Sequence, residues 1–194
     1  VDYNLTLMTP PAAEPVSLPV ARAHLRLDTN DDDAYVNSLI IAAREYCETY
    51  QNRAYITQTW EMALPSFPLR TITIPKGRLQ TIEQIFYKNA AGIVTTLIPE
   101  IDYVVSHRGI LGRVCPPFGK AFPYEHLYPL DPVVVRFMCG YGDTSETVPA
   151  RVKQAMLLLI GHWYENRMAV SELRTGEISF AVAALLSQEK IVMV

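Results

Sequence analysis

Two runs of helical periodicity, enclosing a long stretch of strand-like pieces, predict an α+β protein with a mostly helical, bundle-like core and an inserted β-rich subdomain. The first run falls near 32–51, where Val36, Leu39, Ile40, Ala43, Cys47 and Tyr50 recur on one face. The second falls near 149–167, where Val152, Ala155, Met156, Leu159, Ile160, Trp163 and Tyr164 recur at three- and four-residue steps. Between them, residues 57–140 change period and break into short β-branched and aromatic pieces bounded by Pro, Gly or Asn. The 194-residue chain is long enough for a sizeable core. It reads as one domain over 1–194, with 57–140 as the insert and 168–194 as a C-terminal segment.

Residues 1–15 hold Pro10, Pro11 and Pro15 without a periodic pattern and predict an extended arm. Ser17 suits an N-cap, and Pro19 sits in the first turn, where its missing N–H costs nothing. A short helix near 17–27 follows. Asp28-Thr-Asn-Asp-Asp-Asp33 predicts a linker that doubles as the acidic start of the 32–51 helix, where the helix dipole favours carboxylates. The run lacks the glycine and distal glutamate of a calcium loop. Strands are expected at 57–64, 70–74, 79–88, 93–98, 102–106, 110–114 and 133–139, with turns at Asn89-Ala-Ala-Gly92 and His107-Arg-Gly109. Residues 115–132 combine five prolines with Phe118, Phe122, Tyr124 and Tyr128, which excludes regular structure. Such a loop either folds over the sheet or projects towards another molecule.

The 149–167 helix carries Leu157, Leu158 and Gly161 off its main stripe, so it is apolar over more of its circumference than one core contact needs. Either it lies at the centre of the fold or it meets a second surface. Beyond Arg167, residues 169–178 are polar and turn-like, and Phe180 to Leu186 predicts a short helix. The end, Ile191-Val192-Met193-Val194, is costly to leave in water, so it tucks into its own core or docks onto a partner.

Composition narrows the function. Apolar residues at 49% and charged residues at 19% describe a folded chain, and a net charge of −3 argues against a free-standing DNA-binding module. Lys76, Arg78, Lys88, Arg108, Arg113 and Lys120 spread basic charge through the insert, but strand alternation is expected to disperse them over both faces. Residues 1–14 lack the basic start and apolar core of a signal peptide, and the longest apolar run, 155–161, is far short of the ~18 residues of a membrane span. A soluble chain made in the cytoplasm, with no membrane partner, is the expectation.

No constellation for chemistry emerges. Cys47, Cys115 and Cys139 are widely spaced, which suggests reduced thiols rather than a zinc site or disulfide framework. His24, His107, His126 and His162 make no metal-ligand pattern, and His162 is expected to be a hydrogen-bonded core histidine. There is no nucleophile elbow, P-loop or dinucleotide fingerprint, and Gly140-Tyr-Gly142 is a turn closing the last strand. The expectation is no catalytic, cofactor or metal site.

Motif order adds a family resemblance. Gly140-Tyr-Gly, a short polar loop, Pro149 and a helix ending in His162-Trp-Tyr-Glu-Asn-Arg167 resemble the C-terminal signature of tailed-phage head–tail connector (adaptor) proteins. Pro15-Val-Ser-Leu-Pro-Val-Ala-Arg-Ala-His-Leu-Arg-Leu-Asp28, the acidic loop, Leu39-Ile-Ile-Ala-Ala-Arg44 and Gln58-Thr-Trp60 resemble the opening of that family. The resemblance implies a non-enzymatic virion protein at the head–tail junction. It forms a ring, typically twelve-fold, that joins the portal protein to the next connector or tail-completion protein and surrounds the DNA only as a passing, non-specific neighbour. In that reading Trp163, Tyr164 and Arg167 pack subunit on subunit, and Ile191, Val192, Met193 and Val194 dock on the portal. The alternative is a small binding module that holds a peptide or nucleic acid on the insert.

Overall fold

The computed structural model describes residues 3–167 and 180–192, and the chain divides into two compact units. Residues 11–56 and 141–194 make a helical unit, and residues 1–10 and 57–140 make a β unit. The mixed α+β class predicted from periodicity is therefore the fold. Each part has a core of its own.

The helical unit contains α1 (Leu18–Leu25), α2 (Asp33–Gln51), α3 (Ala150–Glu165) and α4 (Phe180–Ser187). α2 stops where Asn52 turns left-handed (φ 55°) and returns its N–H to the carbonyls of Glu48 and Thr49. Asparagine is among the few residues that visit that region readily. α1 ends in the same way on Arg26. Ser17 does occupy the N-cap position of α1, yet its hydroxyl makes no capping bond. The core is the predicted one. Val36, Leu39, Ile40, Ala43 and Cys47 of α2 cluster with Val152, Ala155, Met156, Leu159 and Ile160 of α3, joined by Ala21, Val182 and Leu186. Each large apolar side chain removed from water there contributes about 1.5–3 kcal/mol. α3 packs on α1, α2 and α4, and Leu157 and Leu158 lie against the same cluster. Its wide apolar surface is that of a central helix. His162 corrects the core-histidine expectation: it falls between the buried positions and is exposed.

The β unit holds β1 (Asn4–Thr9), β2 (Gln58–Leu64), β3 (Ile72–Ile74), β4 (Leu79–Lys88), β5 (Val94–Thr96), β6 (Val104–Ser106), β7 (Gly112–Cys115) and β8 (Val133–Cys139). They form an antiparallel sheet in the order β1-β2-β8-β4-β5 and a three-stranded sheet in the order β3-β7-β6. β8 is the spine of the larger sheet. Its Val133, Val135, Phe137 and Cys139 are buried, and Met62 and Ile85 flank Val135 in register on the two neighbouring strands. On the other face Glu61 and Arg136 sit side by side and pair. Gly112 lets the sheets approach: a Cβ there would lie 2.3 Å from Leu79 Cδ2. The predicted N-terminal arm is extended but not loose, since Asn4–Thr9 pairs with β2 from Asn4↔Ala63 to Thr9↔Thr59. Its side chains are mostly exposed, so burial left no alternation to read.

The proline-rich loop 115–132 is packed in one part and exposed in another. Phe122 is buried and stacks on Phe67 with ring centroids 5.0 Å apart. The Tyr128 N–H donates to the Lys88 carbonyl at 3.0 Å, tying the loop to the β4–β5 turn. Phe118 and Tyr124, by contrast, are fully exposed.

Candidate functional site

Two side-chain clusters in the helical unit stand where the predicted assembly residues lie. The first joins the start of α2 to the end of α3. The Tyr164 hydroxyl donates to the Asp32 carboxylate, and Arg167 Nη2 donates to the same oxygen at 3.0 Å. The Arg167 guanidinium lies 4.7 Å from the Tyr35 ring and 4.8 Å from the Tyr164 ring. Trp163 meets the Tyr46 ring edge-on at 5.9 Å. The hydrogen bond from Tyr164 holds the Asp32 carboxyl below its ordinary range; partial burial opposes this, and Arg167 adds to it. Trp163, Tyr164 and Arg167, expected at a contact between subunits, each have partners within the chain. The guanidinium of Arg167 keeps an exposed side.

The second cluster fastens the C-terminal region. Arg44 bonds Glu14 at 2.8 Å and Glu48 at 3.0 Å, and the other Glu48 oxygen accepts the Tyr55 N–H at 2.8 Å. The buried Gln51 accepts from the Tyr55 hydroxyl and donates to the Leu186 carbonyl, both at 2.6 Å. Arg53 Nε donates to the Glu189 carbonyl at 2.7 Å, while the Glu189 carboxylate receives Tyr141 and Arg151. Burial alone would raise the Glu189 pKa, but the hydrogen bonds of Tyr141 and Arg151 and the charges of Arg53 and Arg151 hold it lowered. One step on, the Ile191 N–H donates to the Gln51 carbonyl at 3.0 Å and its side chain is 7% exposed, whereas Val192 is 71% exposed. Of the predicted docking residues, Ile191 therefore takes the tucked alternative and Val192 faces solvent. Met193 and Val194 lie outside the described residues, as does the polar stretch 169–178.

Sequence reasoning missed this clasp. Arg44, Glu48, Gln51 and Tyr55 recur at four-, three- and four-residue steps, the first three on one face of α2, and that polar stripe beside the apolar one was the available signal. Gly142 completes the corner. It adopts φ 155°, and a Cβ there would approach Thr147 Cγ2 to 2.7 Å.

Burial and the Glu48 charge push the Cys47 thiol up to about 12, far from a reactive thiolate. Among the described residues no group of three His, Cys, Asp or Glu is placed to hold a metal, and no helix is long and apolar enough to cross a membrane. A groove of about 480 Å³ in the helical unit is lined by Val16, Leu18, Ile40 and Ile41, and its Glu14 is the partner of Arg44.

Comparison with known proteins places the fold. Residues 16–93 match the family model of the phage gp6-like head-tail connector protein. That stretch takes in the opening motifs quoted above and ends at the β4–β5 turn, so the 140–167 signature lies beyond it. No curated protein matches the chain. Among solved structures, a chain in the neck of an empty GTA particle, computed with C6 symmetry, superposes with a TM-score of 0.82 at 24% identity, covering 98% of this chain and 97% of that one. A chain in the virion of a native gene transfer agent (GTA) particle gives 0.79 at 23%, covering 98% and 96%. A chain in the neck of a native GTA particle, computed with C12 symmetry, gives 0.73 at 23%, covering 97% of each. The fold is shared with these chains over nearly the whole length of this one. The match to the head–tail connector family model covers 16–93, and the fold likeness to the GTA chains covers nearly the whole chain.

Proposed function

We propose that this chain is a structural head–tail connector subunit, one copy of a ring in the neck of a tailed phage or phage-like particle, and that its work is interfacial rather than catalytic. The observation that carries the reading is the end-to-end fold match to neck chains, TM-score 0.82 over 98% of the chain, together with the connector family pattern at 16–93. The ring joins the portal protein to the next connector or tail-completion protein, and its symmetry is twelve-fold, in line with a related neck computed with C12 symmetry. A ring uses a heterologous contact, so each copy presents two different complementary faces. The exposed side of Arg167, beside Trp163 and Tyr164, belongs to one such face. Phe118 and Tyr124, fully exposed in the proline-rich loop, belong to a face that meets a neighbour. Val192 leads the C-terminal end to the portal, and docking through Ile191 requires that side chain to leave its seat.

The test is to mix purified chain with tailless, DNA-filled heads of its own phage and image the portal vertex by electron microscopy. A new ring of density at the vertex is the expected result and yields the symmetry directly. A bare vertex with folded chain in excess sinks the reading.

A further inference from the structure

The six basic residues of the β unit are only partly dispersed. Lys88 and Lys120 are drawn elsewhere, Lys88 Nζ to 3.8 Å over the Tyr128 ring and Lys120 Nζ to the Ile101 carbonyl at 2.6 Å. Lys76 Nζ likewise stands 4.8 Å over the Trp60 ring of β2, which leaves Arg113 on β7 and Arg78 and Arg108 in the turns beside it. Lys76 and Arg78 form the turn between β3 and β4, and Arg108 lies in the turn between β6 and β7. The Arg78 N–H donates to the Ile110 carbonyl at 3.1 Å, and His107 Nδ1 lies 3.3 Å from the Leu79 carbonyl, so the two turns are fastened together. Arg113 stands between them on β7, flanked in register by Thr73 on β3 and Ser106 on β6. Thr73, Arg78, Arg108 and Arg113 are exposed.

The charge is one-signed. Segments 70–82 and 103–114 hold Arg70, Lys76, Arg78, Arg108 and Arg113 and no Asp or Glu, in a chain whose net charge is −3. The backbone adds a second, independent observation. Lys76, Gly77 and Arg78 all have positive φ, at 71°, 63° and 32°. Two non-glycine residues held left-handed in one turn carry a conformational cost, and such strain concentrates at functional positions. Here it falls on the turn that carries the exposed Arg78.

We propose that the β3–β7–β6 sheet, with the 76–78 and 107–109 turns, is a contact surface for the sugar–phosphate backbone of duplex DNA. Guanidinium groups flanked by Thr and Ser hydroxyls are the usual donors to phosphate oxygens. A protein-binding face is built instead around a desolvated aromatic or aliphatic centre, and here Ile110 is the one strongly exposed large apolar residue. The contact reads no sequence, because nothing in it is shaped for base edges. It is also weak per copy. About three phosphate contacts give a slope near −3 in log K against log salt, a loss of roughly 60-fold between 50 and 200 mM. A weak, sequence-blind contact repeated around a ring suits a duplex that must slide past. The choice of duplex DNA as the partner rests on the connector reading above.

The experiment measures binding of a fluorescent duplex to the full chain by anisotropy from 25 to 200 mM salt, for the wild type, R108E/R113E and R108K/R113K. The wild type is expected to bind weakly at low salt and equally on duplexes of different sequence. Charge reversal is expected to lower affinity at least about tenfold and to flatten the salt slope by about two. The lysine pair, which keeps the charge, is expected to retain binding. Equal binding by wild type and R108E/R113E overturns the proposal, as does no binding at 25 mM. Tighter capture of poly-glutamate than of DNA also overturns it and assigns the surface to an acidic protein. The same variants on tailless heads separate the two readings: a ring that forms with R108E/R113E while DNA binding is lost supports this surface apart from assembly. A bare vertex with wild-type chain removes the connector reading and leaves the DNA result standing on its own arms.

Discussion

Gln51 shows how one polar side chain can hold two elements. Fully buried, it accepts from Tyr55 and donates to the Leu186 carbonyl, so Gln51→Leu strands a hydroxyl and a carbonyl at once. Each unsatisfied buried group costs about 1–3 kcal/mol, and a loss of roughly 2–4 kcal/mol in urea denaturation is expected. Glu189 sets an acid limb. Its pKa is depressed in the folded chain. The stability it contributes is therefore present above the ordinary glutamate range and is lost as pH falls through and below it. Thermal melts from pH 7 to pH 3 should fall less steeply in Glu189→Gln than in the wild type. The thiols differ in the same legible way. Cys47 and Cys139 are buried and Cys115 is half-buried, so a thiol reagent at pH 8 should label Cys115 first, with Cys47 unreactive until the chain unfolds.

At the scale of elements, glycine positions separate propensity from packing. Gly161 sits in α3 with ordinary helical backbone, and a Cβ there would meet His24 Nε2 at 3.4 Å, the end of a side chain that can move. Gly161→Ala should therefore stabilise the helix by up to about 1 kcal/mol, read as a rise in Tm. Gly112→Ala is the opposite case. The added methyl falls inside the Leu79 side chain, where β7 approaches β4, and overpacking of that kind costs about 1–3 kcal/mol. Both substitutions exchange the same residues, and the sign is set by what faces them. Helix positions were legible because burial on one side leaves a period of 3.6 in the sequence, and the helices at 18–25, 33–51 and 150–165 lie within two residues of those expected. β1 was not legible, because a mostly exposed edge strand carries no such imprint.

For the whole molecule, the division into two units makes a further prediction. Removing residues 180–194 takes away Val182, Leu186 and Ile191, three buried side chains together worth on the order of 5 kcal/mol, together with the Glu189 clasp. That is comparable to the whole stability of a small domain. Hydrogen exchange on the truncated chain should show lost protection in α2 and α3 with protection kept in β2, β4 and β8. Equal loss in both units would mean that their stabilities are not separate.

Local patterning was enough to reach the α+β class, the helices and most strands, the turn positions, the α2–α3 core and the resemblance to head–tail connectors, because these follow from the spacing of side chains along one stretch of chain. The clasp joining Gln51, Arg53 and Tyr55 to Leu186 and Glu189 was out of reach, since its partners stand more than a hundred residues apart and only folding brings them within hydrogen-bonding distance. The placing of Arg113 beside the 76–78 and 107–109 turns is the same kind of fact. Strand alternation says on which side of its own strand each residue lies. Whether the sides of three strands and two turns coincide depends on how they pair, and that is a property of the folded chain.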